Sequence, residues 1–155
     1  KCNMKKKTLL LILVIGIITG CAPKTGTMTC MMKTYPTKGI TIRSTYIATY
    51  KNNQVTKLKT IEKITAEEKD NLEVYQEKID ELYADYQDID YYQNNTKIKG
   101  NTLTSTTLID YNKVDTDKLI EVDSGNAGVI KNGKVEINNL EKLYKQNGCN
   151  CKKEG

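Results

Sequence analysis

Between Ile40 and Tyr50 the chain alternates without a break. Ile40, Ile42, Ser44, Tyr46, Ala48 and Tyr50 fall on one side; Thr41, Arg43, Thr45, Ile47 and Thr49 fall on the other. Successive side chains on a strand point to opposite faces, so this pattern fits a half-buried β-strand and no helix. A strand with one apolar face needs paired neighbours and a layer packed on that face. Candidate neighbours lie on both sides. Cys30 to Tyr35 forms a first run, closed by the turn residues Pro36-Thr37-Lys38-Gly39. Asn52-Asn53 marks a tight turn, because Asn tolerates positive φ, and Val55 to Ile64 follows as a third strand. Its apolar residues Val55, Leu58, Ile61 and Ile64 are spaced by three, which a β-bulge accounts for and a helical turn competes with.

Thr65-Ala66-Glu67-Glu68 has the spacing of a capping box, with Thr65 as N-cap and Glu68 three residues later. Leu72, Tyr75, Ile79, Leu82, Tyr83 and Tyr86 then share one helical stripe opposite a charged face, which predicts a helix over 66–87. Two more strands are predicted over 89–99 and 101–112 around Gly100-Asn101, and a short helical turn over 115–120. Asn132-Gly133 signals a hairpin, although its short flanks suit a turned loop equally well. Leu140, Leu143 and Tyr144 make a final short helix that Gly148 stops. The predicted fold class is α+β: an antiparallel meander sheet with a long amphipathic helix and a short C-terminal helix packed on one face.

The first twenty residues read differently. Met4 is the expected start, with residues 1–3 extraneous to the fold. Lys5, Lys6 and Lys7 precede an uncharged apolar run from Leu9 to Ile18. At 1.5 Å per residue that run spans about 15 Å, half of a bilayer core of roughly 30 Å, which suits a signal peptide better than a transmembrane helix. Ile18-Thr19-Gly20-Cys21 is similar to the lipobox of bacterial lipoproteins: a branched apolar residue, two small residues, then cysteine. The motif implies cleavage after Gly20, with diacylglycerol on the Cys21 thiol and an acyl chain on its new amino group. Several acyl chains anchor stably where one does not. The expected division is a signal peptide over 1–20, a lipidated tether over 21–29, one domain over 30–151 and a tail over 152–155. The expected location is a bacterial cell membrane, lipid-anchored on its extracytoplasmic face.

Charge follows from this division. Four of the 24 Lys and Arg residues precede Cys21 and none of the 19 Asp and Glu residues does, which leaves a net charge of +1 beyond it. Composition therefore makes no case for nucleic acid or for an anionic surface. Phe, Trp and His are absent, so the ten tyrosines supply every aromatic ring. Besides Cys21, the cysteines of the exported part are Cys30, Cys149 and Cys151. A bridge from Cys30 to either of the other two closes a loop of about 120 residues, worth about 4–5 kcal/mol by loop entropy. Cys149-Asn150-Cys151 also has the look of a metal clip or redox pair, but without His a soft four-ligand metal site is short of ligands.

The lipobox, a cysteine in the first strand, the Tyr50–Leu58 hairpin, the acidic helix, the strand end Ile109-Asp110-Tyr111-Asn112-Lys113-Val114 and a cysteine after the last helix together resemble the YehR-like lipoproteins. These are small bacterial envelope proteins of undetermined function, and the resemblance covers most of the exported chain. It implies a single cysteine near the end as the partner of Cys30, which favours Cys151; Cys149 departs from that pattern. It supplies no catalytic residues.

Catalytic chemistry finds little to work with. No His is available as a base, and Ser44, Ser105 and Ser124, the serines open to a Ser–Lys arrangement, sit in no recognisable motif. Asp88 and Asp90, Asp115 and Asp117, and Glu121 and Asp123 are carboxylate pairs two residues apart. Leu119 breaks the alternate-oxygen pattern of a calcium loop after Asp117, so these read as solvated turns. No metal and no cofactor beyond the lipid on Cys21 is expected. Tyr46, Tyr50, Tyr91 and Tyr111 fall on strands and form a candidate binding face, against the alternative that tyrosine fills the core. The leading expectation is a membrane-tethered binding or interaction module for an envelope protein, peptide or glycan. The alternative is an envelope enzyme, hydrolase-like or metal-dependent, that uses carboxylates.

Overall fold

A computed structural model of the chain describes residues 24–68 and 70–155; Gly20 and Cys21, the expected cleavage and lipidation positions, lie outside the described residues. In chain order the elements are β1 (Thr25–Thr34), β2 (Ile40–Lys51), β3 (Gln54–Ala66), α1 (Asp70–Tyr83), β4 (Tyr92–Lys99), β5 (Thr102–Asp110), α2 (Thr116–Val122), β6 (Ile130–Lys131), β7 (Lys134–Val135), α3 (Ile137–Gln146) and β8 (Asn150–Glu154). The fold is α+β. Six strands form an antiparallel sheet in the order β4-β5-β3-β2-β1-β8, and β6 and β7 form a separate small hairpin.

The alternation read in β2 decides which face is covered. Ile40, Ser44, Ala48 and Tyr50 are buried, while Arg43 and Thr49 are exposed. Paired residues share a face, so register carries this division across the sheet: Met28 opposes Ala48, and Ile64 opposes Ile42. The inner face carries two apolar clusters. One joins Met28, Ala48, Tyr50 and Leu58 to Leu119 of α2 and Ile137 and Leu140 of α3. The other joins Ile40, Ile64 and Leu103 to Leu72 and Ile79 of α1. Burying a side chain of this size contributes about 1.5–3 kcal/mol, which is why the three helices lie on this face. Asn52 (φ 49°) and Asn53 (φ 67°) form the β2–β3 turn, and Asn132 (φ 51°) with Gly133 (φ 71°) forms the β6–β7 turn, so the second Asn signal is a hairpin. The register of β2 and β3 shifts at Thr49/Tyr50, leaving Thr56 as the extra residue of a bulge. That bulge explains the spacing from Val55 to Leu58, and Ile61 breaks the rest of the series because it faces outward, opposite Thr45.

Several expectations need correction. The segment read as a tether up to residue 29 joins the sheet from Thr25, because β1 is paired along its whole length with β2. The segment read as a tail from 152 belongs to β8, which pairs with β1 through Thr27–Glu154, Thr29–Lys152 and Cys30–Cys151. The capping box does not form. Thr65 lies in β3, its hydroxyl 3.4 Å from that of Thr102, and α1 starts only at Asp70. α1 itself ends at Tyr83, followed by a single tighter turn over Ala84–Tyr86. Leu82 is 65 % exposed: it lies about 80° round the helix from Leu72 at 3.6 residues per turn, off the buried stripe. The sheet also departs from a plain meander. β4 and β5 return as a hairpin that places β5, not β4, against β3.

Candidate functional site

Of the four tyrosines read as one face, Tyr46, Tyr50 and Tyr111 belong to the larger apolar cluster and Tyr91 lies outside it. Tyr46 is on the inner face and stacks on Tyr144 of α3, centroids 4.3 Å apart. Tyr50 is buried at the far end of that face. Tyr111, beyond β5, packs against the larger apolar cluster, and its backbone N–H donates to the Thr56 carbonyl at 2.9 Å. Tyr91 is 51 % exposed with the Lys113 ammonium 5.2 Å from its ring centre. Its positive φ of 66° lies in the turn before β4, whose alternation carries Tyr92 inward and leaves Tyr91 outward.

A different set of tyrosines converges. Tyr86 and Tyr92 stack with centroids 4.7 Å apart, and Tyr83 lies 6.1 Å and 6.3 Å from them. They line a groove of about 360 Å³ between the C-terminal end of α1 and β4, with Asp80, Asn94 and Thr96. The floor of this groove continues inward as a polar seam that separates the two apolar clusters. Asn94 Nδ2 donates to Ser105 Oγ at 3.1 Å and Thr107 Oγ1 at 2.9 Å. Gln76 donates to Thr96, which donates to Asp80, so α1 is tied to β4 by a hydrogen-bonded chain. Across the next strands Ser105 opposes Glu62, and Glu62 opposes Ser44, whose hydroxyl donates to the Glu62 carboxylate at 3.3 Å. Among the described residues, Ser44, Ser105 and Thr107 are the buried polar side chains, and all three belong to this seam. A polar stripe across a sheet face that is otherwise apolar is costly unless its groups are paired, and here they are.

Burial keeps the phenols along the seam protonated. Burial pushes the phenols of Tyr46 and Tyr83 above their ordinary range, and the Glu62 carboxylate adds to both rises, while Ser44 beside Tyr46 and Thr107 beside Tyr83 oppose them. Tyr86 and Tyr92 are also raised, first by burial. The groove is therefore a set of neutral hydrogen-bonding phenols beside Asp80, over a polar floor that leads to Glu62. The strand lysines nearest Glu62 in sequence, Lys59 and Lys63, pair with residues of the opposite face and do not reach it.

The remaining candidates have local roles. Asp115 caps α2, accepting from the backbone of Asp117 and Lys118, and Asp123 accepts from Gly125 at 2.8 Å. Ser124 opens the short turn that follows. Ser44 and Ser105 face Glu62 and no lysine. Among the described residues no three His, Cys, Asp or Glu side chains are grouped to hold a metal ion. Cys30 and Cys151 are joined as a disulfide across β1 and β8, with a sequence separation of 121. Cys149 is a buried free thiol, pushed up by that burial.

Sequence reading missed Tyr83, Tyr86, Tyr92 and Glu62 as a group. The first two were visible as part of a helical stripe, but nothing local tells that their stripe continues over β4. Glu62 sat on the apolar side of β3 once the alternation is counted from Ile64, and that was the available signal.

A sheet of six antiparallel strands with helices on one face, closed by a disulfide between its first and last strands and holding a tyrosine-lined groove, defines a small α+β scaffold. This architecture is shared with solved structures. An NMR structure of a protein from Streptococcus pneumoniae TIGR4 superposes with a TM-score of 0.53 at 19% identity, covering 98% of this chain and 99% of that one. The NMR structure of the E. coli YehR protein superposes with a TM-score of 0.57 at 20% identity, covering 85% of this chain and 92% of that one. The chain thus has a YehR-like fold. No family model and no curated protein matches it. Neither description of the similar structures names an activity.

Proposed function

We propose that the chain is a lipoprotein anchored through Cys21 on the extracytoplasmic face of a bacterial membrane, and that it binds a ligand in the groove of Tyr83, Tyr86 and Tyr92. The observation that carries the binding role is the groove itself: three clustered phenols over a hydrogen-bonded polar floor that leads to the Glu62 carboxylate. Phenol faces and edges combine contact area with hydrogen-bonding tips, and such rings are favoured where proteins bind partners. The carboxylate and hydroxyl floor suits a ligand rich in hydroxyl or amino groups, a glycan or a short peptide of the envelope. The anchor rests on Ile18-Thr19-Gly20-Cys21 and on the lysines and apolar run before it.

Titration of the full-length lipidated protein in nanodiscs with glycan and peptide libraries, read by NMR, tests the binding role. Shifts are expected at Tyr83, Tyr86, Tyr92 and Asn94, and Tyr86→Ala or Glu62→Gln should weaken the same ligand at least five-fold. Ligands whose affinity ignores both substitutions would overturn the assignment to this groove. The anchor has its own measurement: Cys21→Ala should abolish processing and lipid labelling, and an unchanged membrane-bound, processed product would overturn it.

A further inference from the structure

The sheet face turned away from the helices is strongly basic. In the six strands, nine cationic side chains leave on this outer face and one, Lys153, on the inner face. Lys33 opposes Arg43, Arg43 opposes Lys63, Lys63 opposes Thr104, and Thr104 opposes Lys97, so four cations stand in one row across five strands. Lys99 lies one row beyond, and Lys51, Lys57, Lys59 and Lys152 occupy rows toward the other end. Directly opposed side chains are about 5 Å apart, and like charges there destabilise the pairing. The outer-face carboxylates of the sheet, Asp110 and Glu154, lie at the far end: Thr49, in line with them, is six residues along β2 from Arg43, about 20 Å. Among the described residues the ion pairs involve Glu141 and none reaches this row. All four cations of the row are exposed.

Apolar side chains interleave with the charge. Met31 is 53 % and Leu108 42 % exposed, and both face outward beside part-exposed Ile61 and Ile47. A shallow depression of about 430 Å³ opens between Met31, Lys33, Arg43, Thr45, Ile61 and Lys63. The acids of the domain gather on the opposite side. α1 carries Asp70, Glu73, Glu77, Asp80 and Glu81 against a single Lys78 over Asp70–Tyr83. The domain is therefore nearly neutral overall but divided into a basic sheet face and an acidic helical layer.

We propose that the outer sheet face docks on the surface of an anionic phospholipid bilayer. The Lys33–Arg43–Lys63–Lys97 row meets lipid phosphates, whose charge removes the repulsion within the row. Met31, Ile61, Ile47 and Leu108 meet the boundary between headgroups and acyl chains. Cations mixed with apolar side chains on one face suit a surface that is itself amphiphilic, and a fully hydrophilic polyanion offers the apolar residues nothing. The inference rests on the anchor proposed above for its geometry. Cys21 precedes Thr25 by four residues, which reach at most about 14 Å. Lys33 is eight residues further along β1, about 26 Å. Lipid then holds one end of the face and the cationic row holds the other, leaving the tyrosine groove pointed away from the membrane.

The test uses the full-length lipidated protein with vesicles of phosphatidylcholine alone or with 30 mol% phosphatidylglycerol, labelled by a membrane-impermeant amine reagent and mapped by mass spectrometry. Lys33, Lys63, Lys97 and Lys99 should label at least five-fold more slowly on the anionic vesicles, while Lys78 and Lys142 on the helical side label equally on both. High salt should erase the difference, because exposed charges are screened. The variant Lys33→Gln/Arg43→Gln/Lys63→Gln should restore fast labelling of Lys97 and Lys99. The milder Lys97→Gln/Lys99→Gln, read at Lys33 and Lys63, serves should the first not fold. Equal labelling of the row on both vesicles overturns the docking. Protection by a soluble glycerol-phosphate polymer without protection by anionic vesicles also overturns it, in favour of a polyanion. Failure to float with phosphatidylcholine vesicles sinks the lipid anchor instead. Docking is then decided by flotation with the anionic vesicles, which supports it, or its absence, which overturns it.

Discussion

Gly26 sits on β1 where a side chain has no room. A Cβ there would lie 2.8 Å from the Glu154 carbonyl oxygen and against the Tyr50 phenol. The first obstacle is backbone of β8 and does not yield cheaply. Gly26→Ala should therefore cost about 1–3 kcal/mol, as overpacking does, and a denaturant titration of the variant beside the parent measures it. Single residues also decide where sequence reading succeeds. Tyr91 and Tyr92 are adjacent and chemically identical, and counting back by two from Ile98 turns Tyr92 inward and leaves Tyr91 outward. The positive φ at Tyr91 belongs to the turn joining the helical layer to β4. Glycine and asparagine announce such angles in a sequence; tyrosine does not.

At the scale of elements, local chemistry is legible where it acts alone. Asp115 accepts from the backbone N–H of Asp117 at 3.1 Å and of Lys118 at 3.3 Å, and α2 begins at the next residue. Asp115→Ala should cost about 1 kcal/mol, seen as a lowered unfolding midpoint with faster amide exchange in α2. Asn52-Asn53 and Asn132-Gly133 likewise carry their turns in their own conformational preferences. The spacing Thr65–Glu68 carries a preference too, but there the ladder from β3 to β5 extends through Thr65 and outcompetes the cap. β8 was invisible for the complementary reason. Asn-Cys-Lys-Lys-Glu has no apolar alternation, and the strand exists because β1 offers it an edge and Lys153 reaches Glu141 and Asn138 of α3. Pairing across more than a hundred residues leaves no local trace.

The whole molecule is closed by Cys30–Cys151. Replacing both with Ala removes a loop constraint worth about 4–5 kcal/mol by chain entropy, so the double variant should unfold at markedly lower denaturant than the parent under oxidising conditions. Equal midpoints would show that the bridge adds no stability. The phenols give the fold a second collective property. Tyr46, Tyr83, Tyr86, Tyr92, Tyr111 and Tyr144 are all raised, each first by burial, with Tyr111 pushed up to about 12. A raised folded value means that the unfolded chain releases its protons first. Stability from these groups is then complete below about pH 10 and falls as pH climbs toward the folded values. Urea midpoints should hold between pH 7 and 9 and drop steeply between pH 10 and 12, with tyrosinate absorbance appearing in step with unfolding. The α+β layering was readable because β2 and the α1 stripe state their periods plainly. The groove was not, because it exists only where α1 and β4, read separately, come together.

The bridge has one more consequence. It joins neighbouring strands, so every residue between Cys30 and Cys151 lies inside a covalent ring. A pull on the two ends of the chain is carried through the sulfur atoms and never reaches the enclosed segment. Drawn in an optical trap, the molecule should pay out only the short stretches outside the ring, and lengthen fully after a reductant cuts it. A pull applied between the two termini therefore leaves the groove, which lies inside the ring, without load.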